Sequence, residues 1–260
     1  MLLPLLFALA STTVAYNYNS QGSDWTGTCS SGVEQSPIDL AQSSSTVDSS
    51  ESLYLELGIE KAEGTGGFTD DSYKIEGAFG SVMAKSNSTQ TTLTIGSFHF
   101  HAPSEHTIDG SNHDLEMHSI LTDSDGQLYG VIGILFKTGS SNDFIQEVID
   151  GNGTTRSIDY PEAFNGITAM KNFWYYKGSL TVPNCQEGLN WHVWADVQEL
   201  SSEQLKFFTD AWAGDNSFGA GNGNNRLIQP LNSRTLTYYD SNDEGSAAEL
   251  LLAGLFWLLA

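Results

Sequence analysis

Several segments along the chain alternate apolar and polar residues with the two-residue period of a half-buried strand: SLYLELG at 52–58, TTLTIGSFHFHA at 91–102, HDLEMHSILTD at 113–123, LYGVIGILFKTG at 128–139 and NWHVWADV at 190–197. One segment keeps a helical period instead. From Ser201 to Ala213, the residues Leu205, Phe208 and Trp212 share a face, Ser201 and Gln204 make a capping box, and Gly214 follows as a stop. No repeat is evident and no low-complexity linker divides the middle of the chain. The pattern predicts a single β-rich α+β domain, with a central, mostly antiparallel twisted sheet and short peripheral helices.

The two ends break this pattern. Residues 1–15, MLLPLLFALASTTVA, are apolar without alternation and finish on the small residues Thr13 and Ala15, which reads as a secretory signal peptide cleaved after Ala15. The domain is then expected over 16–240. Residues 241–260 join a polar segment to the apolar run LLLAGLFWLLA, too short to span a bilayer. That run has the character of a GPI-anchor signal, with membrane attachment through the tail as the consequence, or of a terminal helix that packs on the domain.

Composition changes the picture in two ways. The 260 residues include 26 Gly and 6 Pro, which suits many strands and tight turns, and carry a formal charge of -22. So acidic a chain disfavours nucleic acid and anionic membrane surfaces as partners, because both need basic clusters. The acidity suits a solvated surface or a salty medium. Secretion fits three further features: the sequons at Asn87 and Asn152, and a pair of cysteines, Cys29 and Cys185, that can bond in an oxidising compartment. Closing so long a loop is worth at most about 5 kcal/mol on the entropic account.

The candidate chemistry lies in FHFHAPSEHTIDGSNHDLEMH, residues 98–118. On a strand His99 and His101 point the same way, with Phe98 and Phe100 turned to the core. If the chain reverses through PSEHTIDGSN, an antiparallel partner brings His118 beside them, with Glu116 on the same face. Two histidines alone fit hydrogen-bonded core side chains as well as half a metal site. Adding His118 favours metal, because three imidazoles with an open fourth corner are a catalytic zinc arrangement. The lack of thiolate clusters disfavours iron–sulfur and structural zinc sites. Glu105 and Glu116 are the nearby carboxylates able to orient ligands.

This stretch resembles the metal-binding signature of the alpha-class carbonic anhydrases, secreted type. The resemblance runs on through YNYNSQGSDW near the start, QSPIDL at 35–40, YYKGSLTVPNCQEGLNW at 175–191 and QPLNSR at 229–234. It implies a Zn2+ enzyme for the reversible hydration of carbon dioxide to bicarbonate and a proton. The metal ligands would be His99, His101 and His118; in carbonic anhydrases such a zinc brings the pKa of its bound water to about 7, providing hydroxide as the nucleophile. Thr181 and Glu105 would orient that hydroxide. Glu116 would fix the tautomer of His118, His106 would be structural beside Tyr176 and Glu116, and Tyr18 would complete the polar network. Ile120, Val131, Leu180 and Trp191 would line the carbon dioxide pocket.

Four positions depart from the family pattern. Ser97 stands where a glutamine commonly precedes the first ligand, Val182 and Asn184 replace residues usual after the threonine, and Ala78 falls where fast members carry a shuttle histidine. Of the spare histidines, His113 is expected in a turn and His192 on the face away from the site. Turnover without the usual histidine shuttle is therefore expected. The alternative is a binding or adhesion module of the same fold, which the complete ligand set disfavours. A different zinc hydrolase has no supporting motif, since no His-Glu-x-x-His helix or nucleophile elbow occurs.

Overall fold

The structure, a computed structural model, describes residues 16–48, 53–69, 71–86, 89–165, 169–170, 172–213 and 219–240. The N-terminal apolar run, Asn87, the side chain of Trp212, Gly214 and the tail from 241 onward lie outside the described residues.

The strands in chain order are β1 (Thr46–Asp48), β2 (Leu53–Ile59), β3 (Ala62–Phe68), β4 (Tyr73–Gly77), β5 (Gly80–Ser86), β6 (Thr89–His101), β7 (Thr107–Ile108), β8 (Ser111–Asn112), β9 (Leu115–Thr122), β10 (Leu128–Thr138), β11 (Thr155–Ile158), β12 (Ala169–Met170), β13 (Phe173–Ser179), β14 (Glu187–Trp194), β15 (Gln198–Leu200) and β16 (Thr237–Tyr239). The helices are α1 (Thr28–Ser31), α2 (Asp143–Asp150) and α3 (Ser202–Ala213). One large sheet runs β1-β16-β13-β14-β10-β9-β6-β4-β3-β11, with β5, β2, β12 and β15 attached beside it, and β7 and β8 form a separate hairpin. Most pairs are antiparallel, and the parallel ones are β1 with β16 and β10 with β14 and β15.

The five alternating segments became β2, β6, β9, β10 and β14. Helix α3 begins as its capping box predicts: the Ser201 N–H donates to Gln204 Oε1 at 3.0 Å, and the Gln204 N–H to Ser201 Oγ at 3.2 Å. Helix α2 did not stand out in the sequence reading. Its signals are present nonetheless: Asn142 caps it by accepting the Ile145 N–H at 3.0 Å, and Phe144, Ile145 and Val148 face inward.

The sheet separates two apolar clusters. One holds Phe98, Phe100, Met117, Ile132 and Ile134 under α2 and α3. The other holds Ile38, Val131, Leu135, Trp191 and Val193 on the face that carries the histidines. A bulge on β6 arranges this division. The β6–β9 register shifts between Ile95 and Ser97, so Ile95 opposes Leu121 whereas Ser97 opposes Ile120. One extra residue, Gly96, exchanges the faces of the strand. Upstream, the odd-numbered Leu93 and Ile95 are buried in the first cluster; downstream, the even-numbered Phe98 and Phe100 take over that role. The odd positions 97, 99 and 101 are thereby turned to the other face.

Candidate metal centre

Three strands position the histidines. On the same face of β6 are His99 and His101, and the ladder sets His118 of β9 directly opposite His99. Ring centroids lie 5.0 Å apart for His99–His101, 5.3 Å for His99–His118 and 4.6 Å for His101–His118. One nitrogen from each falls within 4.8 Å of the others, a spacing from which all three can reach one ion. On β10, Gly133 pairs with His118, and a Cβ there would crowd Glu116 Oε1 at 3.1 Å.

Two of the three rings are braced from behind. His101 Nδ1 lies 2.7 Å from the Asn224 carbonyl, which only accepts, so this nitrogen carries the proton. Its Nε2 is buried and has no hydrogen-bond partner among the described residues, a lone pair aimed into the cluster. The Asn224 side chain locks the loop to β6: its Oδ1 accepts the Ala102 N–H at 2.8 Å, and its Nδ2 donates to the Phe100 carbonyl at 3.0 Å. Gly223 makes this approach with φ +88, where a Cβ would fall 1.9 Å from the Ala102 carbonyl oxygen, so only glycine fits. His118 Nε2 lies 2.9 Å from Glu116 Oε1, which leaves Nδ1 to face the cluster. The other Glu116 oxygen accepts the N–H groups of Glu105 and His106, each at 2.8 Å. His106 bridges Glu116 at 2.6 Å and the Tyr176 hydroxyl at 2.7 Å, and Tyr176 in turn donates to Ser36 Oγ at 2.8 Å.

The electrostatics suit a cation. Burial lowers the pKa of His99, His101 and His118, so all three rings are neutral donors at neutral pH. Burial alone would raise Glu116, but His106 and His118 outweigh it and hold this carboxylate well below its usual range. Neutral imidazole nitrogens with one buried, unpartnered lone pair among them are the donor set zinc prefers, and the residues fit that ion.

Beside the cluster stands Glu105, fully buried. Its Oε1 accepts the Arg226 N–H at 2.8 Å, and its Oε2 lies 3.9 Å from His118 Nδ1. Burial pushes it up to about 7, against the pull of His118, the Thr181 hydroxyl and the Arg226 N–H. Thr181 is thus close enough to act on this carboxylate, although no aligned hydrogen bond closes on Oε2. The loop carrying Thr181 is tied down by the Cys29–Cys185 disulfide, with Cα atoms 5.0 Å apart. Tyr18 is wholly buried against Trp25 and that disulfide, with Val182 packed on the same cluster. Arg226 joins the pieces: its guanidinium donates to the carbonyls of Cys29 and Ser36, both at 2.7 Å, and to Gln35 Oε1 at 2.9 Å.

An apolar row flanks His118. Ile120 pairs across β9–β10 with Val131, which pairs with Trp191 on β14. The Trp191 ring lies 4.8 Å from that of His118 and is held by its indole N–H on the Ser179 carbonyl at 2.8 Å. Leu180, half-buried, follows the end of β13 and leads to Thr181. His192 is buried on the opposite face, against Phe173 and Tyr175. His113 sits in the bend before β9, and Ala78 between β4 and β5. Ser97 shares the face of His99 but makes no side-chain hydrogen bond among the described residues. Asn224, Arg226, Ser36 and Gly133 escaped the sequence reading; the first two meet His101 and Glu105 through a backbone carbonyl and a backbone N–H, which leave no mark on residue type.

Fold and site together define a β-sheet enzyme with three clustered histidines, able to hold a metal ion, beside an apolar row. The chain belongs to the eukaryotic-type carbonic anhydrase family, whose model matches residues 20–240, and it is accordingly an enzyme of carbon dioxide hydration. It is 30% identical over 221 residues to alpha carbonic anhydrase 4 of Arabidopsis thaliana, covering 82% of this chain and 78% of that protein. The crystal structure of a halotolerant carbonic anhydrase from Dunaliella salina matches with a TM-score of 0.70 at 28% identity, over 86% of this chain and 97% of that one. Carbonic anhydrase Cah3 from Chlamydomonas reinhardtii, solved with acetazolamide, matches with a TM-score of 0.65 at 27% identity, over 86% of this chain and 99% of that one.

Proposed function

We propose that His99, His101 and His118 hold a zinc ion and that carbon dioxide is hydrated in the cleft beside them. The observation that carries this reading is the buried, unpartnered Nε2 of His101 amid three neutral imidazoles within 4.8 Å of one another. When bound, zinc supplies a Lewis acid that makes hydroxide available as a nucleophile near neutral pH, with a water pKa of about 7 in carbonic anhydrases. The chain's own residues do the rest. Thr181, beside Glu105, accepts a hydrogen bond from the nucleophile while its own hydroxyl turns to the carboxylate, which fixes the direction of the attacking lone pair. Glu105, beside the histidines, would stay ionised next to a cation held there and accept that bond. Ile120, Val131, Leu180 and Trp191 offer the apolar substrate a site that polar water does not favour. Tyr18, buried beside the disulfide that ties down the Thr181 loop, completes the polar network there.

No spare histidine is positioned to carry the released proton. Of the six in the chain, His106 and His192 are buried, and His113 is half-buried at a bend. The proton therefore leaves to water or buffer. In the same reading residues 1–15 are a secretion leader and 241–260 a processed tail, and Asn152, exposed in the turn after α2, carries a glycan. The disulfide is compatible with an extracellular setting. Among the described residues no helix is long and apolar enough to cross a membrane.

Substituting His118→Ala and Thr181→Ala separates the roles. The first is expected to lose zinc and activity together, and the second to keep zinc at one per chain while hydration falls at least 100-fold. A His118→Ala protein that retains full activity overturns the proposal.

A further inference from the structure

The three histidines are not equally supported. A ligand imidazole is held in tautomer and orientation by the acceptor on its second nitrogen. His101 has the Asn224 carbonyl at 2.7 Å and His118 has Glu116 at 2.9 Å. His99 meets no hydrogen-bond partner on either nitrogen among the described residues, and it is the half-buried member of the trio.

Its neighbours explain why. Four residues make a square on the cleft face of β4 and β6: Lys74 opposes His99, and Glu76 opposes Ser97. Directly opposed side chains on an antiparallel pair come within about 5 Å of each other. The residue directly opposite His99 is thus an ammonium, which can only donate and which also repels a metal cation. The carboxylate within this square, Glu76, is engaged by Lys74 at 2.8 Å and its side chain is 70% exposed. Ser97 is on the right face, two residues before His99, at a separation of roughly 6.6 Å along the strand. A serine hydroxyl is too short to bridge that span, whereas a glutamine carboxamide is long enough.

Resting on the reading that this trio holds zinc, we propose that His99 is the weak arm of the centre. Positions 97 and 74 set how long the ion stays: Ser97 leaves the ring without an acceptor, and Lys74 puts a positive charge on the facing strand.

The test is zinc release, not turnover. Zinc-loaded protein is mixed with excess EDTA, and release is followed by a colorimetric zinc indicator. Ser97→Gln is expected to slow release by about tenfold or more, the scale on which such orienting partners act. Ser97→Ala should release zinc within about twofold of the unsubstituted protein, because the hydroxyl it removes makes no bond. Lys74→Met, which keeps the aliphatic stem and removes the charge, should slow release severalfold. Ser97→Gln releasing zinc at the original rate or faster overturns the inference, as does Ser97→Ala releasing it tenfold faster. Should Ser97→Gln not fold, an unchanged rate in Lys74→Met overturns it equally. Zinc at one per chain with unaltered release refutes this inference alone, whereas a protein that takes up no zinc refutes the reading of the site as well.

Discussion

His192 offers a test of the packing that depends on no catalytic assumption. The residue is 1% exposed, its ring tilted against those of Phe173 at 5.8 Å and Tyr175 at 5.3 Å, with Nδ1 lacking any partner among the described residues. Burial pulls its pKa from 6.5 to about 3, against a smaller opposing pull from the Val131 backbone. The folded value lies below the unfolded one, so between these limits the unfolded chain binds a proton that the folded chain does not. The stability it contributes is therefore fully present above pH 6.5 and is lost as pH falls toward 3. Each pH unit in that window is worth about 1.4 kcal/mol, so at pH 5 the loss from this one side chain is about 2 kcal/mol. In His192→Phe the aromatic packing is kept and the titration removed. Urea unfolding of metal-stripped protein, followed by tryptophan fluorescence from pH 8 to pH 5, should show the original chain losing about 2 kcal/mol more than the variant. With an m-value of about 3 kcal/mol/M, that is a difference of roughly 0.7 M in the shift of the midpoints. His99, His101 and His118 are present in both proteins, so their contributions cancel. Parallel stability curves would refute the argument.

Three other outcomes follow from the same geometry. Glu116→Ala removes the acceptor of His118, of His106 and of two backbone N–H groups, so zinc affinity should fall about 10- to 100-fold with a marked loss of thermal stability; unchanged affinity by competition titration would contradict the bracing role. The disulfide closes a separation of 156 residues, so replacing both cysteines by serine should cost up to about 5 kcal/mol in urea unfolding, and an unaltered midpoint would count against it. Stopped-flow hydration should rise with buffer concentration, and Ala78→His should reduce that dependence; saturation without buffer in the original chain would show that another group carries the proton.

How much of this was legible in the sequence depends on which atoms do the work. The alternation in FHFH identified a strand with two histidines on one face, and the spacing to His118 allowed the third histidine to be placed beside them by a simple chain reversal. The bulge at Gly96 was not legible, because a glycine within a strand pattern fits several conformations. It nevertheless decides which face of β6 meets the cleft. The brace on His101 was hidden for another reason: it is the carbonyl of Asn224, more than a hundred residues away, and any residue offers a carbonyl. The same holds for the Arg226 N–H on Glu105. The guanidinium of Arg226 is a residue-specific signal, but nothing in the sequence shows that its partners are the carbonyls of Cys29 and Ser36. Helix α2 was readable from Asn142, Phe144, Ile145 and Val148, yet it is short and stood beside stronger strand patterns.

The central claim is that three neutral histidines on β6 and β9 hold the metal on which hydration depends. Its most direct test is stripping and restoring the ion. Dialysis against a chelator should abolish carbon dioxide hydration, and titrating zinc back should restore it linearly to an endpoint of one ion per chain. Hydration that persists in protein shown to be free of zinc would contradict the account.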